Sequence, residues 1–378
     1  MITKIKNCKV LNADFSDFFE SNIYIENGKI TRISKENLNH NKEIDARKEY
    51  VIPGFVDIHT HGSYGYGYAV SDKPDFQGAL EWSCRKGITT VIPTISTFSI
   101  DETISYAKNI NLQAKKSKSA SIRGIHFEGP FISPGKKGAM INSPESCTIE
   151  AFDALVKAAE KLPVTMTVAP ELENALDVIK HASDRGVRIS LGHSLATYEE
   201  AMAGIKAGAT GATHTFNAMR AYDHREPGIL GAVLTEPSVS CEVICDMVHL
   251  ALPTVKIIYA AKGVDKMIIV SDSGEITGLG DGEYFIRGHL RIVKDGVCRI
   301  PEGNIAGSCF TMIDGAKNLI KAGFSLAEVA KMASYNPARA MKIDNEVGSV
   351  EEGKIADLLL VNSALDVLHV IKDGEIFN

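Results

Sequence analysis

Apolar residues recur along this chain with two different periods, and the change of period divides it. Residues 1–50 alternate apolar and polar positions in twos, as strands with one buried face do. IYIENGKITRIS reverses around Asn27-Gly28, a dipeptide that favours a two-residue hairpin turn. The C-terminal stretch repeats the pattern: GSVEEGKIADLLLVN is followed by VLHVIKDGEIFN, with a second tight turn at Asp373-Gly374. Between these ends, short β-branched apolar runs lie at 54–59, 89–93, 122–128, 164–169, 187–192, 210–214, 239–245 and 267–271. Amphipathic stretches of helical period separate them, around 75–86, 100–117, 149–161, 174–185, 197–207, 227–235 and 253–262. Helix starts are marked: Thr148 precedes IEAFDALVKAAEK with Glu150 in the first turn, and Thr197 has Glu200 three residues on, a capping box.

Eight strands alternating with helices predict an α/β chain folded as a (β/α)8 TIM barrel. The rival, a doubly wound open sheet, would carry a phosphate-binding loop after its first strand, where this chain carries histidines. Residues 281–300 read as a β-hairpin inserted after the eighth strand. Two helices, GSCFTMIDGAKNLIKAG and SLAEVAKMASYNPARAM, then close the barrel. The two β-rich ends predict one small β-sandwich domain made from 1–51 and 345–378, flanking a barrel of residues 52–344.

Composition narrows the function. With 378 residues, 44% apolar and 23% charged, the chain is an ordinary globular protein. A net charge of -6 and a pI near 6.0 exclude a nucleic-acid or anionic-membrane partner. Small anionic substrates stay open, because one arginine can bind a phosphate whatever the total charge. No apolar run is long enough to cross a bilayer, and MITKIKNCKVLNADF lacks the continuous apolar core of a secretory signal, so a cytoplasmic location is expected. Seven cysteines without framework spacing fit reduced thiols, and Cys241 and Cys245, sharing one apolar segment, read as core packing.

The chemistry is carried by where polar residues interrupt the apolar runs. In PGFVDIHTHG, His59 and His61 are two residues apart on an extended segment and so point to one side. Glu128, His193, His214 and Asp272 each sit where an apolar run ends and a Gly/Ser/Thr/Asn-rich loop begins. Active sites of such barrels lie at the C-terminal ends of the strands, and these six fall on strands 1, 3, 5, 6 and 8. A lone histidine at a strand end is usually a loop residue; five strands contributing together point to a metal centre. Imidazole and carboxylate donors suit zinc, with iron, manganese and cobalt as alternatives. Glu128, His193 and His214 form a three-ligand site with an open position, and His59 and His61 can hold a second ion with Glu128 bridging. One or two divalent ions are therefore expected. Bound to such an ion, water ionises near neutral pH, which makes hydrolysis the expected chemistry, with Asp272 moving the proton. His249, in CDMVHL after strand 7, is placed to polarise a carbonyl oxygen. Arg225, in HREPG after strand 6, can pair bidentately with a phosphate. His126 shares strand parity with Glu128, so it lies deeper in the barrel, as a group supporting the metal site or as a packed core histidine, and in neither case as a ligand. His40, His181, His224, His289 and His369 fall in helical or peripheral segments and receive no role.

These motifs carry a resemblance. PGFVDIHTHG, GIHFEGPF, LGHS, THTFNAM, REPG and GSVEEGKIADLLLVN resemble the amidohydrolase superfamily, and more narrowly its N-acetylglucosamine-6-phosphate deacetylase family, over essentially the whole chain. HFEGP followed by KKGA, and THTFNAM followed by REPG, are the narrower signature. Many other superfamily members use a carboxylated lysine on strand 4; here that strand reads VTMTVAPE without lysine, and Glu128 stands in. The resemblance implies hydrolysis of the acetamide of N-acetylglucosamine-6-phosphate to glucosamine-6-phosphate and acetate, a step of amino-sugar catabolism. The alternatives are the galactosamine epimer and a cyclic-amide amidohydrolase acting on an unphosphorylated ring. It further implies that Glu128, His193 and His214 bind the principal metal, that Asp272 is the acid/base and that His249 contacts substrate. Ala139, Asn217, Ala218 and Arg225, with Ile305, Ala306 and Gly307, match substrate-contacting positions, Arg225 being the phosphate partner. It also implies a homodimer with the phosphate end of the site near the interface. Some members lack the H-x-H pair and work with one ion; this chain keeps His59 and His61. It departs from the pattern at Met140, where some members place a histidine, since methionine cannot donate a hydrogen bond.

Overall fold

The structure, a computed structural model, describes residues 1–70, 74–96, 98–140, 145–286 and 288–377. The apolar runs become eight parallel strands: β1 (Phe55–Thr60), β2 (Ile88–Ile95), β3 (Ile125–Glu128), β4 (Val164–Val168), β5 (Arg188–Leu191), β6 (Gly211–Ala212), β7 (Ser240–Ile244) and β8 (Met267–Val270). Each pairs with its neighbour in chain order, from β1–β2 through β7–β8. The ring is closed between β8 and β1 by main-chain bonds just beyond the strand ends. Asp272 N donates to His59 O at 2.9 Å and His61 N to Ser273 O at 2.7 Å. Asp57, buried on β1, accepts from the backbone N–H and the hydroxyl of Ser271. The result is a nearly closed (β/α)8 barrel, as the alternation of periods predicts.

Helices α1 (Gln77–Arg85), α2 (Ile100–Ala114), α3 (Ile149–Ala158), α4 (Ala175–Asp184), α5 (Tyr198–Ala207), α6 (Gly228–Thr235), α7 (Leu252–Lys266) and α8 (Met312–Lys321) surround it. Parity along the strands decides what goes where. Phe127, Met166, Ile189, Leu191 and Val243 point outward into the layer between strands and helices, where they join Phe152, Leu155, Ile179 and Ile258, all fully buried. Each such side chain contributes roughly 1.5–3 kcal/mol of burial free energy. The alternate residues His126, Glu128, Thr165, Thr167, Arg188, Ser190 and Glu242 are also buried, but polar. A further apolar cluster, including Val56, Ile58, Ile268 and Val270, packs β1 and β8 against Ala338 of the last helical segment and Met341 and Val347 just after it.

Both termini build a second sheet. Its hydrogen-bonded order is Glu375–Phe377, Val367–Lys372, Leu358–Val361, Tyr50–Pro53, Ile2–Leu11, Phe18–Glu26 and Lys29–Ser34, with Lys42–Asp45 paired to Ile2–Leu11. The edge strand Lys29–Ser34 turns back to the 353–356 segment (Ile30 N to Lys354 O, 2.9 Å), folding the sheet over its own core of Ile5, Val10, Ile23, Ile25, Leu358 and Ile371. Both expected hairpin turns form, with positive φ at Asn27 and Gly28 and at Asp373 and Gly374. The insertion after β8 is a three-stranded antiparallel sheet, Gly282–Ile286, His289–Lys294 and Val297–Arg299, one strand more than the expected hairpin. Among the described residues no helix is long and apolar enough to cross a membrane.

Candidate metal centre and active site

The strands stop where their last polar side chains must turn inward. At the end of β5, Gly192 passes so close to β6 that a Cβ there would stand 2.8 Å from Thr213 Cβ and 3.1 Å from Thr167 Cγ2. Only glycine fits, and His193 follows it directly. His193, His214 and Asp272 all have positive φ, 47°, 28° and 50°. Non-glycine residues rarely hold that conformation, which costs on the order of 1–3 kcal/mol and clusters at functional sites. Here it breaks each ladder and aims the side chain at the barrel mouth.

The side chains meet. Glu128 Oε1 lies 3.0 Å from His193 Nε2, 3.0 Å from His214 Nε2 and 3.3 Å from His59 Nε2. Its other oxygen lies 3.2 Å from His61 Nε2. His193 Nε2 and His214 Nε2 are 3.0 Å apart. Asp272 Oδ1 stands 3.4 Å from the Nε2 atoms of both His59 and His61. Two overlapping groups therefore have the compactness a metal ion requires: His59, Glu128 and His214, and His59, His61 and Asp272. Ligands about 2.1 Å from a tetrahedral ion are about 3.4 Å from one another, close to these separations. Glu128 faces both groups, one oxygen to each side.

Charge points the same way. Burial works against ionisation of Glu128, yet the His59 charge and the hydrogen bonds of His193 and His214 hold its carboxyl well below the usual range. Burial likewise opposes ionisation of Asp272, but His61 and His59 bring it down to about 2. In return, and against their own burial, His59 is pushed well above its ordinary value by Glu128, Glu242 and Asp272, and His61 is raised to about 9 by Asp272 and Glu128. The two carboxylates thus demand positive charge at the centre of the cluster. A divalent cation meets that demand and leaves the imidazoles neutral, as ligands must be. Nε2 of His59, the nitrogen that faces the centre, is buried without a hydrogen-bond partner among the described residues, which also fits a ligand. The side chains present suit a metal.

Groups around the cluster fix its members. His193 Nδ1 donates to Lys136 O at 2.7 Å, so its Nε2 keeps a lone pair for the centre. His249 Nδ1 lies 2.7 Å from Asp246 Oδ2, and that oxygen also accepts from Ser308 Oγ at 3.0 Å. Burial lowers the pKa of His249, but Asp246 outweighs it and the net shift is upward. His126 sits beneath the centre with its ring 4.6 Å from that of His59, and its Nε2 is 2.8 Å from Thr167 Oγ1. Glu171 holds the loop after β5, accepting from Leu195 N at 2.6 Å and Ser194 Oγ at 2.7 Å.

Among the other residues singled out in the sequence, Asn217 follows His214 and donates its side-chain amide to His214 O at 3.1 Å, and Ala218 O accepts from Ser194 N. Ala139 is half-buried in the loop that carries Lys136. Ile305, Ala306 and Gly307 run beside Asp272, whose carbonyl accepts from Ser308 N at 2.8 Å. Arg225 stands apart, on the exposed loop 221–226, with no hydrogen bond or ion pair to the cluster among the described residues. Sequence reasoning missed Asp246, Glu171 and Glu242. A signal existed for two of them: Asp246 lies three residues before His249, and Glu242 interrupts an apolar run.

Fold and site together define a metal-type hydrolase barrel, and comparison with known proteins agrees. The sequence pattern of the amidohydrolase family matches residues 50–377, and the chain belongs to that family. Within it, the chain is 31% identical to the N-acetylglucosamine-6-phosphate deacetylase of Lysinibacillus sphaericus, over 98% of this chain and 97% of that one. It is also 31% identical to the N-acetylgalactosamine-6-phosphate deacetylase of Escherichia coli O157:H7, over 87% of this chain and 88% of that one. In structure it is similar to an N-acetyl-D-glucosamine-6-phosphate deacetylase mutant from Mycobacterium smegmatis in complex with N-acetyl-D-glucosamine-6-phosphate, with a TM-score of 0.89 at 27% identity, covering 100% of this chain and 99% of the other.

Proposed function

We propose that this chain is a metal-dependent deacetylase that hydrolyses the acetamide of N-acetylglucosamine-6-phosphate, giving glucosamine-6-phosphate and acetate. The observation that carries this reading is the convergence of His193, His214 and His59 on one oxygen of Glu128, with His61 at its other oxygen, at the mouth of the barrel. Glu128, His193 and His214 would hold one divalent ion, and His59 and His61, together with Glu128, would hold a second. Zinc suits these donors best, and iron, manganese or cobalt suit them too. Such an ion supplies Lewis-acid polarisation and makes water acidic enough to ionise near neutral pH.

The chain's own groups do the rest. Asp272, ionised and facing His59 and His61, takes the proton of the attacking water and returns it to the departing amine nitrogen. His249 has Nδ1 committed to Asp246, so Nε2 is its free donor for the acetamide oxygen. Asn217, Ala218 and Ala139 line the approach with Ile305, Ala306 and Gly307, and Arg225 pairs with the phosphate, its exposed loop lying near the interface of a homodimer. The chain acts in the cytoplasm; the seven thiols, all free, support a reducing location. Residues 1–51 with 345–378 are a small β domain, and 52–344 the catalytic barrel.

The 31% identity to an N-acetylgalactosamine-6-phosphate deacetylase favours a second reading, in which the galactosamine epimer is the substrate. Acetate release from N-acetylglucosamine-6-phosphate, N-acetylgalactosamine-6-phosphate and unphosphorylated N-acetylglucosamine separates the cases. The first sugar is expected to turn over with the highest kcat/KM and the third to be poor. Preference for the second would name the other epimer, and equal rates with the unphosphorylated sugar would contradict a phosphate-binding site.

A further inference from the structure

β7 carries a charge that has no part in the proposed hydrolysis. Glu242, 1% exposed, lies inside the barrel. Its Oε1 accepts from Arg188 Nη1 at 2.8 Å, and Arg188, 7% exposed, also donates to Thr165 Oγ1 at 3.0 Å. The other oxygen, Oε2, lies 3.5 Å from His59 Nδ1, and neither of these two atoms has a hydrogen-bond partner among the described residues. Interiors of such barrels are normally filled by branched apolar side chains. A buried ion pair is often no more stable than apolar residues of the same volume. Arg188 and Glu242 therefore need a role beyond packing.

His59 supplies one. Its Nε2 faces Glu128 and Asp272, at 3.3 and 3.4 Å, and can present a lone pair only if the ring proton sits on Nδ1. A ligating histidine holds that tautomer by giving its other N–H to a carbonyl or carboxylate. His193 uses the Lys136 carbonyl; for His59 the atom in that place is Glu242 Oε2. We infer that Glu242, anchored by Arg188, is the positioning residue for His59, and that this buried pair sets the affinity of the His59–His61 half of the centre for its ion. The inference rests on the two-ion reading proposed above.

The test is titration of chelator-stripped, full-length protein with Co(II), followed by d–d absorption and bound-metal analysis, in the wild type, in Glu242→Gln and in the double variant Arg188→Met/Glu242→Met. The double variant removes both charges together, so a folding defect of Glu242→Gln leaves the question answerable. The wild type is expected to take up two equivalents. Both variants should keep the first with unchanged affinity and bind the second about 10- to 100-fold more weakly. Two equivalents bound with wild-type affinities by folded variants would overturn the inference and leave the two-ion reading standing. A single equivalent in the wild type would overturn both, leaving only the ion at Glu128, His193 and His214. Loss of both equivalents from a folded variant would also overturn the inference, because the pair would then support the whole barrel mouth rather than His59.

Discussion

Asp272 sits at the junction of two demands: its backbone N–H closes the barrel onto His59, and its carboxylate faces His59 and His61. Asp272→Asn keeps the first role and removes the proton acceptor, so folding and uptake of the first ion are expected to survive while kcat falls about 10²- to 10⁴-fold. Steady-state kinetics with metal analysis of the same sample checks this, and near-normal turnover would remove Asp272 from proton transfer. Asp246 gives a pH prediction. It raises the pKa of His249 against the effect of burial, so His249 stays protonated to higher pH than an ordinary imidazole, and its contribution is lost as pH rises through that raised value. In Asp246→Asn the larger raising influence is gone and burial is opposed only by the charge of Asp272, so the alkaline limb of the kcat/KM profile should move to lower pH. A limb that stays in place would take His249 protonation out of the reaction. At this scale, the residues legible in the sequence are those that end an apolar run. His59, His61, Glu128, His193, His214 and Asp272 were visible because five strands of one barrel end on such side chains together, which a scatter of loop residues would not produce. Glu242 and Arg188 were harder to see, because their partners lie on other strands and only barrel closure brings them together. A lone charge inside SCEVI and another heading RISL were the available hint, since such residues are almost never buried unpaired.

Elements were legible where local chemistry is self-contained. The capping box of α5 forms as its spacing predicts: Glu200 N donates to Thr197 Oγ1 at 3.2 Å and Thr197 N to Glu200 Oε2 at 2.8 Å. Thr197→Ala removes one acceptor and should cost about 1 kcal/mol in chemical denaturation, with little change in kcat. A loss several times larger would mean the cap also holds the neighbouring β5 loop. The strand expected at 210–214 shows the opposite case. Only Gly211–Ala212 forms a ladder, because His214 and Phe216 adopt positive φ and turn the chain to deliver His214 to Glu128. Of the five residues expected in the strand, the site leaves two in the ladder. Cys241 and Cys245 are buried as the apolar pattern suggests, and desolvation pushes both thiols up, that of Cys241 to about 11.

For the whole molecule, the alternation of strand and helix periods was enough to predict a barrel, but not the way it closes. The β8–β1 seam is made by Asp57, Ser271, Ser273 and the main chain of His59, His61 and Asp272, so the segments that complete the barrel also carry the centre. Metal and fold should therefore be linked: an ion that binds only the folded state stabilises it by about 4 kcal/mol when present at a thousandfold excess over its Kd. Whether the chain acts as a metal-dependent amino-sugar-phosphate deacetylase is decided by acetate release from N-acetylglucosamine-6-phosphate by one preparation as loaded with zinc, after chelation, and after reloading. Turnover should disappear with the metal and return with it, accompanied by a fall and recovery of Tm. Turnover that persists in protein shown to be free of metal, or no turnover of the sugar phosphate in either epimer by the loaded protein, would contradict that activity.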